Sequence, residues 1–353
     1  MIDWKEPMIQ TFEYFIVDPN TWADMTPVTT VTSSTFNRDE TNETLGSAQI
    51  DTTEEFEECY IRGYLVATQD EKTERVALGT VLVQTPSVKF DGKISTMSLD
   101  AYTPLIELKN VNPPIGYTML KNEKIVERAC DLVEENTRVP IVTSEGNGTK
   151  LFSNYTANTD DSWLSYLTNA LANDKSKFGL DEMGRITIEP IQETAALRPV
   201  WTYSDDNSSI LYPDTTKERD LYNVPNVVEV IYSSATGYYR AVVENKDPNS
   251  PVSIQNRGRR VEYRETNPTF YGEPNQAMIN EYAKTLLKNL SCLEYKITYT
   301  HGYCPVRVGD AVILNYESAG LVNVKAKVIS QTIKCVTGCS VEETAVYTEQ
   351  LWG

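Results

Sequence analysis

The chain holds one histidine, His301. Ser-His-Asp and Cys-His nucleophile systems and multi-histidine metal sites would all have to run through it, since each needs imidazole as base or ligand. It stands in Thr298-Tyr299-Thr300-His301-Gly302, beside a strand end, a context that reads as a turn residue and not as a catalytic base. Among six cysteines, Cys335 and Cys339 have a ligand-like spacing that Cys292 and Cys304 would complete to four thiolates. There is no second close pair, so the expectation is of ordinary buried or half-buried thiols, with no metal and no cofactor.

Phosphate chemistry has no seat either, because neither G-x-G-x-x-G nor G-x-x-x-x-G-K-[ST] occurs. Carboxylate pairs are frequent (Asp160-Asp161, Asp205-Asp206, Glu342-Glu343), as chance dictates in a chain with 50 acids. A glycosidase needs two carboxylates placed across a cleft, which adjacency does not provide. Asp160-Asp161-Ser162-Trp163 reads instead as a helix start, with a serine or acid capping the free N–H groups.

The elements that would position these residues are mostly strands. Phe12, Tyr14 and Ile16 alternate with their neighbours before Asp18-Pro19-Asn20 breaks the run. Two half-exposed strands follow between residues 26 and 53, then a meander of Tyr60 to Thr68 and Arg75 to Gln84. Asp91-Gly92, between Ser87-Val88-Lys89-Phe90 and Lys93 to Leu99, is the strongest hairpin signal, since glycine tolerates positive φ. After Asn112-Pro113-Pro114 the period turns helical, with Ile125, Val126, Ala129, Leu132 and Val133 on one stripe. Trp163, Leu164, Leu167, Ala170 and Leu171 form a second stripe, and Phe178 to Glu189 is a hairpin turned by Gly184. The last 150 or so residues return to strands. One helix interrupts them: Pro274 stands at its first turn, and Met278, Tyr282, Leu286 and Leu290 recur at near-i+4 spacing towards Ser291. The reading is mainly β with an α+β insertion: two similar small β-barrels, residues 1–112 and 201–353, separated by a small α/β domain, 113–200, with the extra helix near 274–291.

Composition supports a folded globular chain: 353 residues, 40% hydrophobic and 23% charged, with no apolar run long enough to span a membrane. The start, Met1-Ile2-Asp3-Trp4-Lys5-Glu6-Pro7, has neither a basic region nor an apolar stretch, so the expectation is synthesis in a cytoplasm without Sec export. A net charge of -18 disfavours affinity for phosphate backbones or anionic lipid, yet suits a surface that DNA must slide past.

The order of segments resembles the central baseplate hub proteins of tailed phages and tailocins, including the hub part of type VI secretion spike proteins. The resemblance rests on Ala77-Leu78-Gly79-Thr80-Val81-Leu82-Val83 before the Asp91-Gly92 hairpin and on Met97-Ser98-Leu99-Asp100-Ala101-Tyr102. Met183-Gly184-Arg185-Ile186-Thr187-Ile188, Val224-Pro225-Asn226-Val227-Val228, Asp247-Pro248-Asn249-Ser250-Pro251-Val252-Ser253 and Val306-Arg307-Val308-Gly309-Asp310-Ala311-Val312 complete it. It implies a trimer in which two tube-type barrels per chain make a pseudo-six-fold ring, joining tail tube to spike and enclosing a DNA exit channel in the virion. The cluster Glu54, Glu55, Glu57 and Glu58 is then a candidate for the channel wall, with a solvated surface turn as the plainer reading. Relatives of the hub carry peptidoglycan hydrolase extensions, but a chain ending at Gln350-Leu351-Trp352-Gly353 leaves no room for one, and no enzyme activity is expected. A host-surface adhesin is the remaining alternative, from 21 tyrosines and five tryptophans that could stack on sugars; most of these fit strands and helical stripes instead.

Overall fold

A computed structural model describes residues 2–85, 88–234, 237–268 and 274–352; Ser87, placed in a strand from sequence, lies outside them. The N-terminal region forms β1 (Ile9–Val17), β2 (Asp24–Pro27), β3 (Val31–Asp39), β4 (Gly46–Thr52), β5 (Cys59–Gln69), β6 (Lys72–Val83), β7 (Lys89–Phe90) and β8 (Ser95–Tyr102). A short helix α1 (Ile106–Lys109) leads to β9 (Thr118–Met119), α2 (Ile125–Asn136), β10 (Ile141–Ser144), β11 (Tyr155–Thr156), α3 (Trp163–Asn173), β12 (Ser176–Leu180) and β13 (Ile186–Pro190). Then come β14 (Pro199–Ser204), β15 (Leu211–Arg219), β16 (Val227–Ser233), β17 (Tyr238–Glu244), α4 (Ile254–Arg257), β18 (Glu262–Thr266) and α5 (Gln276–Leu290). The chain finishes with β19 (Cys292–Gly302), β20 (Ala311–Tyr316), β21 (Leu321–Lys334) and β22 (Ser340–Gln350). It is mainly β with a small α/β insertion, as its sequence periodicities require.

One fourteen-stranded sheet runs in the order β15-β19-β22-β21-β3-β4-β8-β6-β5-β1-β2, with β14 and β20 branching at β21 and β7 at β8. Strict alternation sets the register: Ala48, Ile50 and Thr52 of β4 and Met97, Leu99 and Ala101 of β8 point inward, and a one-residue slip of either strand would expose its three. Strands from the two ends of the chain meet where β21 pairs β3, with Thr332 opposite Asn37 and Lys334 opposite Thr35. Gly63 and Gly79 face each other across β5 and β6 and leave a slot for the Phe36 ring. A Cβ on Gly63 would sit 2.6 Å from that ring.

Contacts divide the chain into two units, residues 1–215 with 299–345, and residues 216–298 with 346–353. In the first, α2 and α3 cover the three-stranded sheet β10-β13-β12. Leu132, Val133, Leu164, Leu167, Leu171, Ile186 and Ile188 are buried there, in a core continuous with Val17, Trp22 and Tyr60. α3 starts at a reciprocal capping box of Ser162 and Ser165.

In the second unit α5 packs on β17-β16-β18 through Ile279, Ala283 and Leu287 against Val228, Val230 and Ala241. This buried face lies one residue beyond the Met278, Tyr282, Leu286 and Leu290 stripe expected from sequence. Met278 is 39% exposed and the other three only flank the core. Asn275 caps the helix, so Pro274 precedes its first turn instead of occupying it.

Candidate functional site

His301 is no turn residue: it lies inside β19 and is fully buried. Its Nδ1 is 2.7 Å from the Gly302 carbonyl, which only accepts, so Nδ1 carries a proton. Nε2 lies 3.1 Å from the Tyr203 hydroxyl and 3.4 Å from Oε2 of Glu343, also fully buried. Tyr299 and Tyr203 donate to Oε1 of Glu343, and Gln331 donates to its Oε2 at 2.7 Å. Arg38 reaches Gln331 from β3 at 3.3 Å. Burial alone would push the imidazole pKa down, but its hydrogen bonds to Cys304 and Glu343 outweigh that and raise it to about 10. A charged His301 and the Glu343 carboxylate thus form a saturated ion pair that no substrate reaches; it fastens β14, β19, β21 and β22. Of the other ligand-like residues, Cys304, Cys335 and Cys339 are buried and Cys292 is partly so, as expected of buried or half-buried thiols, but only Cys292 lies within a strand and the other three sit just beyond strand ends.

A second polar centre docks the insertion. Arg62 is fully buried in β5, ion-paired to Asp24 at 2.7 Å and bonded to Thr80 Oγ1 and the Trp22 carbonyl. The tip of the β12–β13 hairpin enters this cluster: the Met183 carbonyl accepts from Arg62 (3.2 Å), Trp22 Nε1 (2.8 Å) and Thr80 Oγ1 (2.7 Å). Gly184, at φ 72°, makes that approach feasible, since a Cβ there would lie 2.7 Å from Thr80 Cβ.

A cavity of 1280 Å³ opens beside this hairpin, lined by Arg38, Glu40, Lys177, Asp181, Arg307 and Lys327 among others. Several of its charges are paired with one another. Glu40 takes Lys177 and Lys327, each at 2.8 Å, Asp181 takes Arg185 at 2.6 Å, and Glu182 takes Arg307. The Glu40 pairs are ionic struts that tie β12, β21 and the turn after β3.

The most extensive feature is a polar lattice on the outer side of β21-β3-β4-β8. Its rows are Lys334–Thr35–Gln49–Asp100, Thr332–Asn37–Ser47–Tyr102 and Ser33–Asp51–Ser98. Cross-strand bonds stiffen it: Gln49 donates to Ser98 (3.1 Å) and Ser98 to Asp51 (2.7 Å). Hydroxyls and amides dominate, and Lys334 is its single cation. The four glutamates expected as a channel or surface cluster occupy the loop that continues β4, outside these rows. Phe56 anchors the loop, buried and paired with Thr85 through its backbone, while Glu54, Glu55, Glu57 and Glu58 are exposed. Sequence reasoning missed the lattice because its rows join residues about 300 positions apart.

The charge is equally localised. The second unit contains eleven Lys or Arg and eleven Asp or Glu, so the net -18 falls wholly on the first, which bears the lattice. Among the described residues no helix is long and apolar enough to cross a membrane, and no group of three or more His, Cys, Asp or Glu is arranged for a metal.

No protein-family model matches the chain, and neither does any curated protein. Solved structures do match in fold. The tail protein from Neisseria meningitidis MC58 aligns with a TM-score of 0.61 at 12% identity, over 96% of this chain and 97% of that one. The 43 kDa tail protein of prophage MuSo2 from Shewanella oneidensis gives 0.60 at 11% identity, over 95% and 97%. A chain of the Francisella PdpA–VgrG complex gives 0.58 at 9% identity, over 96% of this chain and 52% of that one. The chain has the fold of phage tail proteins along nearly its whole length, which is the fold that the segment order resembles.

Proposed function

We propose that this protein is the structural hub of a phage or phage-like tail baseplate, acting without enzymatic activity. Three copies form a pseudo-six-fold ring that joins the tail tube or distal tail protein to the spike or tail-tip protein. The ring encloses the exit path of DNA in the virion, after assembly in the host cytoplasm. The observation that carries this reading is the polar lattice on β21-β3-β4-β8, in a chain whose fold matches tail proteins end to end. A wall of hydroxyls and amides with one lysine gives a passing phosphate backbone few cations to release counterions against. The surrounding charge of the first unit keeps DNA from adhering.

Joining both ends of the chain in one sheet supports the symmetry argument: two β-rich segments per chain, placed around a three-fold axis, present six similar segments to a six-fold tube. Negative-stain electron microscopy of the concentrated protein, alone and with its tube and spike partners, tests the proposal. Three-fold classes with an opening at least as wide as a duplex are expected. Compact monomers even with the partners would overturn it.

A further inference from the structure

We propose that the β7–β8 arm of one copy docks on the β15 edge of the next and so closes the ring, an inference that rests on the trimeric reading. β8 pairs with β4 from Met97 to Tyr102, but meets β6 only where Tyr102 faces Leu82. Before that point, among the described residues, its other side holds only the two residues of β7, opposite Ser95 and Thr96. The arm beyond exposes Phe90 (66%) and Ile94 (56%). Its turn is braced by Asp91, which accepts the backbone N–H groups of Lys93 and Ile94, both at 2.9 Å.

At the outer end of the same sheet stands β15, nine residues long, whose far edge has no strand beside it among the described residues. Its Tyr212 is 43% exposed. Long edges are covered in stable proteins, and Pro213, which lacks an N–H, directs this cover towards side chains instead of a full hydrogen-bonded ladder.

The charges favour a second copy as the occupant. The arm offers Lys89 and Lys93. The turn leading into β15 offers Asp205 and Asp206 and the first half of the strand Asp214, with no Lys or Arg between Arg198 and Lys217; Lys217 and Arg219 stand in its second half, and Lys5 lies beside Asp206 and over the Trp201 ring. Arm and edge are different surfaces, so their contact is head-to-tail, the kind that generates a ring. It would also carry the sheet of one copy on to the next, around the lattice.

Sedimentation velocity on the full chain tests this. K89E/K93E and D205K/D214K should each weaken trimerisation at least tenfold, and all four changes in one chain should restore it. F90S/I94S should dissociate the ring with its melting temperature retained. Should an arm variant fail to fold, D205K/D214K, at two exposed positions, decides alone. Trimers of wild-type strength after either charge reversal would overturn the contact while leaving the trimer intact. A wild type that stays monomeric with its tube and spike partners would overturn the trimer itself, and this contact with it.

Discussion

His301 and Glu343 are held as an ion pair where no water reaches, and the pair sets a pH signature. The folded imidazole has its pKa raised to about 10, against about 6.5 in an unfolded chain. Its contribution to stability is therefore complete below pH 6.5 and is lost as pH rises towards 10. Urea unfolding should show a higher midpoint at pH 6 than at pH 9.5, and His301→Gln should flatten that difference. Glu343→Ala, which strands a buried cation and two tyrosine hydroxyls, should cost about 3–5 kcal/mol by the same assay. None of this is legible in Thr300-His301-Gly302, where the glycine mimics a turn. The burial is made by Tyr203, Gln331 and Glu343, which arrive from three other strands. Helical stripes such as Leu164, Leu167 and Leu171 were legible because their partners lie within the local period.

The β12–β13 hairpin shows how one element is fixed by a point contact. Its turn at Gly184 follows from sequence, since a left-handed residue is needed there, but its docking on Arg62 does not. Arg62→Met removes the nearer cation of Asp24, leaving Arg75 at 3.6 Å, and takes the charged donor from the Met183 carbonyl. Hydrogen exchange at Asp181 to Arg185 should then accelerate, with about 3–5 kcal/mol of stability lost. Gly184→Ala should cost about 1–3 kcal/mol in thermal unfolding, from backbone strain alone, and the clash with Thr80 adds to it. For α5, near-i+4 spacing identified the helix but placed its buried face one residue early. Ala283, small enough for close approach to the sheet, lies at the centre of that face, and an apolar count favours its larger neighbours.

Across the whole molecule, a net charge visible in composition proves to belong to one of two units, a partition that depends on which strands meet. If the lattice lines the DNA path, T35R, N37R and S47R combined should leave particles assembled and slow DNA ejection by at least tenfold, as read by dye-reported release. Ejection at the wild-type rate would remove the lattice from that role. The pairing of β3 with β21 has a further consequence, for the ribosome. Asp39 leaves the exit tunnel roughly 290 residues before its partner Ser330. At about 5–20 residues per second, β3 waits for about 15–60 s with an unsatisfied edge. Over that interval nascent chains on one polysome are the nearest source of a competing strand.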